Sequence, residues 1–326
     1  MNDISQPPLA TDADIAAKAA WLHFVGGMTQ SEVAKRLNVT NTRAHRYIAR
    51  AQSEGLVRIF VDVETTDCVM LETELMARYG LSFCRVAMDV PETGPLPLKA
   101  LSAIGANYIM QISSARTHKI IGMGNGRTLA ASVNAMGRQP TPDVRFVSVL
   151  GGLTRSFSAN PYDVIYRLAQ KTNADAHLMP APLYANSAED KQVMLKQFGI
   201  AETMGLIEQA SLVILGVGDI GSSEGGITES TLDGPAAAEA LRNKGAAAEL
   251  IGQFITAEGE LLETEYDARV MAPPLHSLQE REVVAIAGGR MKERAIKAAL
   301  RSGLLSGLLT DEATARTLVA APHNET

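Results

Sequence analysis

The sequence is poor in cysteine and histidine and has no long apolar run. Two cysteines among 326 residues, Cys68 and Cys84, are too few for a disulfide framework and do not have metal-binding spacing. The six histidines form no H-x-x-x-H cluster, so we expect no metal site. No run of about 18 apolar residues is present, which excludes a membrane-spanning helix. The acidic start of the chain lacks the apolar core of a signal peptide, so we expect a cytoplasmic protein.

Composition and charge indicate a folded, acidic protein with one basic region. Hydrophobic residues make up 46% of the chain and charged residues 20%, so the chain can bury a full core. Its length is sufficient for about two domains. The formal net charge is −6, yet residues 29–58 hold six basic and two acidic side chains. Because the rest of the chain would repel DNA, any DNA binding must be local and salt-sensitive.

The basic region has the pattern of two short helices followed by a strand. Thr29 and Glu32 form a T-x-x-E capping box, which predicts that a helix starts there. Residues 38–40 form a tight break, and the last of them can cap a second helix over residues 41–53. The strand-like residues 55–59 then match the wing of a winged helix-turn-helix.

Three arginines lie on one stripe of the second predicted helix. Arg43, Arg46 and Arg50 fall within about 60° at 100° per residue, away from the inward-facing Ala44 and Ile48. Such a helix can enter the major groove of DNA. A solvated face of an amphipathic helix would show the same stripe, but the capping box, break, stripe and wing together favour DNA. The candidate DNA-binding residues are Thr29, Thr40, Asn41, Thr42, Arg43, His45, Arg46 and Arg50.

Behind this region, strand-like runs alternate with helix-like runs, which predicts an α/β domain with a parallel sheet covered on both faces. The predicted strands are 83–88, 119–123, 145–150, 174–178, 211–217 and 283–287. The predicted helices outside the basic region are 12–26, 67–79, 97–114, 127–136, 161–171, 187–196, 200–209, 233–242, 290–302 and 311–319. A short polar boundary divides the chain into an N-terminal domain of residues 1–62 and a larger domain of residues 63–326.

A glycine-rich corner follows the strand predicted at residues 119–123. Ligands of open α/β sheets bind beyond the carboxyl ends of the strands. Gly124, Asn125 and Gly126 form the turn, and Arg127 and Thr128 open the next helix. Free N–H groups at a helix start, together with a guanidinium and a hydroxyl, favour an anion such as phosphate.

Two further glycine corners are predicted at the same edge. Gly152 follows the strand at 145–150, and Gly288–Gly289 precede a helix that carries Lys292. Glycines that merely turn the chain between a strand and a helix remain an alternative for each corner. A dinucleotide fingerprint is disfavoured because the strand after the first corner ends in Gly-Gly instead of an acidic residue. A P-loop is excluded as well, because no GK[ST] follows any glycine run. We therefore expect no cofactor.

Three polar residues are candidates for contact with sugar or polyol hydroxyl groups. Asn160 opens the helix after the second corner but could be only a helix cap. Glu249 lies in an apolar, strand-like run, where its carboxylate either faces solvent or accepts hydroxyl hydrogen bonds. Asp219 follows a strand and could be only a turn residue.

The chain resembles the SorC (sugar-binding) family of bacterial transcriptional regulators over nearly its whole length. The resemblance lies in the segments GMTQSEVAKRLNVTNTRAHRYIARAQSEGLVRI, GMGNGRTL, VLGGLTR, LVILGVGDIG, GAAAELIGQF and AGGRMKERAIKAALRSGLLSGLLTDEATARTL, in this order. It implies an N-terminal helix-turn-helix and an effector domain similar to glucosamine-phosphate and ribose-phosphate isomerases. It also implies a tetramer that binds a phosphorylated sugar and controls a carbohydrate-catabolism operon.

The resemblance also implies roles for individual residues. The positions that match the family's effector contacts are Gly124, Gly126, Arg127, Thr128, Gly152, Asn160, Glu249 and Lys292. Asn125 stands where many relatives carry an aromatic residue, and the recognition helix has T-N-T-R-A-H-R in place of the common S-R-x-T-V-S-R, so the operator cannot be transferred. Within that pattern Arg46 matches the most regular arginine. The opening AAWLHFVGGMTQ is most similar to polyol-type members such as the erythritol regulators.

The sequence thus predicts a DNA-binding regulator that responds to a phosphorylated sugar or polyol. One alternative is a phosphosugar isomerase or deaminase with an added DNA-binding head, for which only Glu249 and Asp219 could act as the base. A second alternative is a redox regulator that binds NAD.

Overall fold

The computed structural model describes residues 11–54, 56–57, 66–152, 164–220, 232 and 234–320. The chain divides into two compact units, residues 1–62 and residues 63–326. None of the helices in the described ranges is long and apolar enough to cross a membrane.

The smaller unit contains three α-helices in its described residues, α1 (Asp12–Ala20), α2 (Gln30–Leu37) and α3 (Asn41–Ser53). The sequence predicts one helix over residues 12–26, but the α-helical part ends at Ala20 and a π-helical turn, Trp21–Val25, continues it. The predicted capping box is present, because the Glu32 N–H donates to Thr29 Oγ1 and the Thr29 N–H donates to Glu32 at 2.7 Å.

The break between α2 and α3 is a left-handed turn, as its sequence suggests. Asn38 ends α2 with φ +53°, a conformation that asparagine tolerates better than most residues, and Thr40 caps α3. The inward faces then meet in a small core that includes Val33, Ala44 and Ile48, all at most 4% exposed. Both α1 and α2 pack on α3.

The larger unit contains two sheets. In chain order its described strands are β1 (Phe83–Ala87), β2 (Ile120–Met123), β3 (Arg145–Ser148), β4 (Asp175–His177), β5 (Leu212–Leu215), β6 (Gly218–Asp219), β7 (Ala246–Leu250), β8 (Gln253–Thr256), β9 (Leu261–Leu262), β10 (Glu282–Ile286) and β11 (Gly307–Asp311). The main sheet is parallel throughout, in the order β1-β11-β10-β5-β2-β3-β4. The second sheet, β6-β7-β8-β9, is antiparallel.

Helices cover both faces of the main sheet. The described α-helices of the larger unit are α4 (Thr66–Tyr79), α5 (Leu98–Ala115), α6 (Arg127–Ala135), α7 (Ile165–Thr172), α8 (Ala188–Leu195), α9 (Phe198–Gln209), α10 (Pro235–Asn243), α11 (Glu293–Arg301) and α12 (Glu312–Ala320). Successive side chains of a strand point to opposite faces of the sheet, so alternate strand residues belong to two separate hydrophobic cores. Helices α5, α6 and α7 pack on one face, while α4, α9, α11 and α12 pack on the other.

The prediction of a parallel α/β sheet is confirmed, and each of the six predicted strands is present. The sequence analysis missed β11 and did not foresee the antiparallel sheet. β11, with the sequence GLLTD, is short and fully buried, and so short a segment has no periodicity that separates a strand from a helix. Its place beside β1 and β10 is decided by long-range pairing.

The topology creates a crevice between β2 and β5. These strands are neighbours, but β3 lies on the far side of β2 and β10 on the far side of β5. The chain therefore leaves β2 towards β3 and leaves β5 towards β10, in opposite directions along the sheet. A crevice opens beyond the carboxyl ends of β2 and β5 as a result. Gly124 permits their close approach, since a Cβ there would lie 3.2 Å from Leu215 Cα.

Candidate functional site

A pocket occupies this crevice, with about 940 Å³ of empty space including its open mouth. The predicted effector residues that line it are Gly124, Asn125, Gly126, Arg127, Thr128, Asp219, Glu249 and Lys292. They come from the end of β2 and the start of α6, from the second sheet and from the turn before α11. Sequence analysis missed the apolar walls, among them Leu96, Ile251 and Met291, because apolar residues in loops carry no periodic signal.

The first glycine corner forms the floor of the pocket. Gly126 precedes α6 with φ +137°, a conformation that L-residues rarely adopt, so glycine is required there. No side chain caps the first turn of α6. Thr128 is buried in that turn and Arg127 is half-buried beside it. The N–H groups of this turn and the positive end of the helix dipole are therefore suited to an anion.

Two ionisable groups in the pocket have pKa values displaced towards their neutral forms. Burial raises the pKa of Glu249, although its carboxylate accepts a hydrogen bond from the Gly252 N–H. Burial, and then the nearby Arg127 charge, lowers the pKa of Lys292 to about 8, against the opposing pull of Asp219 and Glu249. Such displaced groups cluster at functional sites.

Lys292 is already held by the protein. Its Nζ donates to the Val217 carbonyl at 2.7 Å, just beyond the end of β5. Glu249 lies opposite Gly218 in the β6–β7 pair, where a Cβ at position 218 would collide with the Glu249 carboxylate. The antiparallel sheet thereby places the Glu249 carboxyl group in the pocket beyond the carboxyl ends of the parallel strands.

The hairpin beside the pocket contains a strained backbone position. The hairpin between β7 and β8 turns at Ile251 and Gly252, with φ +44° and +84°. A β-branched residue is a rare choice for this position, since the left-handed conformation costs an L-residue roughly 1–2 kcal/mol. Ile251 nevertheless lines the pocket and is only 4% exposed. Strain of this kind collects at ligand sites.

The other two glycine corners do not contribute their glycines to the pocket. The Gly152 N–H donates to the Ala181 carbonyl at 2.8 Å, and its own carbonyl accepts from Leu183, so both backbone groups are engaged. The prediction that Gly152 contacts the effector gains no support from this geometry. The Gly289 N–H likewise donates to Asp311 and to Thr314. Asn160 lies outside the described residues.

The arginine stripe of α3 lies on the surface of the smaller unit, as predicted. Arg43 and Arg46 are exposed, together with Asn41, Thr42 and His45. Arg43 donates to Tyr47 Oη at 3.3 Å, and Arg50 pairs with Glu54 at 2.7 Å and with Asp12 at 3.9 Å. Thr29 and Thr40 serve as helix caps. Most of the predicted wing lies outside the described residues.

No group of three or more His, Cys, Asp or Glu side chains that could hold a metal ion occurs in the described part of the chain. The pocket is instead a mixture of apolar walls, backbone amides, two cations and two carboxylates. That combination suits a small ligand that has an anionic end and a hydroxyl-bearing end.

Comparison with known proteins matches the two units of the chain to two different families of domains. Residues 63–320 match the Sugar-bind family of sugar-binding domains, and residues 26–58 match a winged helix-turn-helix DNA-binding domain. The chain is 44% identical to the erythritol catabolism regulatory protein EryD of Brucella abortus, over 96% of this chain and 99% of that protein. It is 26% identical to the transcriptional regulator LsrR of Enterobacter sp. (strain 638), over 95% and 94% of the two chains.

The fold is similar to that of the full-length sorbitol operon regulator SorC from Klebsiella pneumoniae, with a TM-score of 0.69 at 22% identity, over 94% of this chain and 99% of that one. The relatives are transcriptional regulators, so the predicted alternative of a phosphosugar enzyme is set aside. With a winged helix-turn-helix at its front and a sugar-binding domain over most of its length, the chain belongs to the SorC family of sugar-binding transcriptional regulators.

Proposed function

We propose that this regulator controls an operon for carbohydrate or polyol catabolism and that a phosphorylated sugar or polyol is its effector. In this proposal the unit of residues 1–62 binds operator DNA, and the unit of residues 63–326 binds the effector and forms a homo-tetramer in the cytoplasm. The observation that carries the proposal is the meeting, in one pocket at the switch point, of an uncapped helix start, Lys292 and the carboxylate of Glu249.

The phosphate would bind at the start of α6. Three kinds of group there suit a dianion: the backbone N–H groups of the first turn, the Arg127 guanidinium and the Lys292 ammonium. Burial, and after it the positive charge of Arg127, lowers the pKa of Lys292. A bound anion offsets the repulsion between these two cations.

The hydroxyl groups would bind at the second sheet. Asp219 lies in β6, and Glu249 lies in the paired strand β7. Their carboxylates supply hydrogen-bond acceptors, which suit hydroxyl groups, whereas a phosphate requires donors. The 44% identity to a regulator named for erythritol catabolism supports a short polyol or sugar chain as this part of the effector. The apolar walls would contact the carbon skeleton.

Effector binding would shift the tetramer between two arrangements that hold the DNA-binding units at different spacings. A ligand can do this only if its affinity for the two arrangements differs. The relevant readout is therefore DNA affinity measured with and without the effector.

The test is fluorescence anisotropy with the full-length protein and the intergenic DNA upstream of the operon. We expect specific binding that weakens steeply between about 50 and 200 mM salt. Arg46→Ala should cost roughly 1–3 kcal/mol if Arg46 contacts a base. Arg138→Ala, an exposed arginine of the larger unit, is the matched control and should leave the affinity unchanged. Equal binding to a scrambled duplex would contradict the proposal.

The effector is identified by thermal-shift screening against phosphorylated sugars and polyols. A ligand of the folded state stabilises it by RT ln(1 + [L]/Kd), about 2.7 kcal/mol at a hundredfold excess over Kd. A hit must also change DNA affinity. Stabilisation by unphosphorylated polyols alone would contradict the phosphate part of the proposal.

A further inference from the structure

One polar side chain of the pocket is unexplained by the fold. Asn125 lies between Gly124 and Gly126, in the corner that forms the pocket floor. Its side-chain oxygen, Oδ1, is buried and has no hydrogen-bond partner. An unsatisfied buried acceptor is expensive, so native structures keep few of them.

The usual reasons for asparagine in a turn do not apply to Asn125. Asn38 and Asn173 end helices with φ +53° and +52°, the left-handed conformation that asparagine tolerates. Asn125 is not among the residues with positive φ. Nor does its Oδ1 accept from the backbone, as in an Asx turn, because it has no partner at all. The local backbone therefore does not require an amide at this position.

The surroundings of Asn125 prevent a backbone movement that would give its Oδ1 a hydrogen-bond partner. Gly124 packs closely on Leu215, and its N–H donates to the Ile214 carbonyl at 2.8 Å. Gly126 is committed to φ +137° at the start of α6. With both neighbours fixed, rotation of the Asn125 side chain remains the way to move the amide towards the pocket that the residue already lines.

We propose that Asn125 is a specificity-determining residue that recognises a hydroxyl group on the carbon next to the phosphate-bearing carbon of the effector. A hydroxyl is both donor and acceptor, and a side-chain amide offers the complementary pair. The amide is satisfied only in the effector-bound protein, so ligands without this hydroxyl leave it unpaired. A site built in this way rejects the analogue that lacks the hydroxyl. The inference rests on the proposed binding of phosphate at the start of α6.

The test compares three probes that differ by one feature at a time. Inorganic phosphate supplies the anion alone. 3-Hydroxypropyl phosphate adds a carbon chain without a hydroxyl on the neighbouring carbon, and sn-glycerol 3-phosphate adds that hydroxyl. Dissociation constants are measured by titration calorimetry on the full-length protein and on Asn125→Ala.

We expect the natural protein to bind sn-glycerol 3-phosphate about tenfold more tightly than 3-hydroxypropyl phosphate. In Asn125→Ala this ratio should fall to about twofold or less, while the affinity for inorganic phosphate stays the same. A natural protein without preference, or a variant that keeps it, overturns the inference. A variant that loses affinity for all three probes equally also overturns it, because Asn125 would then only support the phosphate corner, and the proposed function would stand.

Thermal stability supplies an independent readout. Removing a buried acceptor that has no partner should raise the melting temperature of the effector-free protein by a few degrees in Asn125→Ala. The matched control is Asn173→Ala, which should lower it, because alanine fits the left-handed helix end less well. An Asn125→Ala protein that is less stable or does not fold overturns the inference. If the natural protein binds none of the phosphate probes, the proposed function is refuted, and the inference about Asn125 is refuted as well.

Discussion

Replacing Lys292 by methionine should stabilise the effector-free protein at neutral pH and at the same time abolish its response to phosphate. Burial lowers the pKa of Lys292 from 10.5 to about 8. Between these two pH values the unfolded chain binds more protons at this residue than the folded chain does, so the stability of the natural protein rises with pH. Below pH 8 Lys292 is charged in both states, so the buried ammonium lowers the stability of the folded protein by its full amount.

The magnitude follows from this displacement. At about 1.4 kcal/mol per pKa unit, holding the buried ammonium costs on the order of 3 kcal/mol at pH 7. The substitution also removes the hydrogen bond to the Val217 carbonyl, worth about 1 kcal/mol. Methionine keeps most of the aliphatic stem, so the net gain should be about 2 kcal/mol, a rise in melting temperature of roughly 4–8 °C.

The assay is urea denaturation of the natural protein and Lys292→Met at pH 7 and at pH 10. The variant should be the more stable at pH 7, and its advantage should be largely lost at pH 10, where Lys292 is neutral in the folded protein. Inorganic phosphate should raise the melting temperature of the natural protein but not that of the variant.

Lys297 lies in α11, the helix that follows the turn of Lys292, and does not line the pocket, so Lys297→Met should leave the phosphate response intact. A Lys292→Met protein that is less stable at pH 7, or that differs equally from the natural protein at both pH values, would refute the reasoning.

Other substitutions test separate parts of the argument. Gly126→Ala should destabilise the larger unit by roughly 1–3 kcal/mol and weaken phosphate binding, as seen by calorimetry, because φ +137° is strained for alanine. Thr29→Ala should cost about 1 kcal/mol in the thermal unfolding of the smaller unit, since alanine lacks the Oγ1 that accepts from the Glu32 N–H and donates to the Glu32 carboxylate; an unchanged transition would contradict this. Glu249→Gln should weaken binding of a polyol phosphate about tenfold while stabilising the empty protein near pH 7. Because burial raises the pKa of Glu249 above 4.5, that stabilisation should vanish below about pH 4.5 in a pH series of denaturation curves.

Short-range signals accounted for the parts of the structure that sequence analysis predicted well. The Thr29–Glu32 capping box, the Asn38 turn and the helix over residues 41–53 depend on contacts within a few residues, and each forms as expected. The first glycine corner was likewise recognisable, because the end of a strand, the turn and the start of the helix are adjacent in the chain. Local physical chemistry decides such features wherever the segment lies.

Long-range pairing decided the features that sequence analysis missed or left open. The sequence could not tell whether Glu249 faces bulk solvent or lines a pocket, and the antiparallel pairing of β7 with β6 places it in the pocket lining. The unlikely left-handed turn at Ile251 has no local preference behind it, and the engagement of Gly152 with Ala181 depends on a distant segment. These outcomes depend on which strands meet, which no local pattern contains.

The amino-acid sequence alone therefore determined the helices of the smaller unit, six strands of the main sheet, the exposed arginine stripe and the glycine corner before α6, since each arises from periodicity or capping between neighbours. Only the tertiary structure decided that Glu249, Lys292 and Asn125 share one pocket and that the first two have displaced pKa values. Burial and charge proximity are properties of the assembled fold, so the chemistry of the site exists only after β2, β5 and the second sheet have come together.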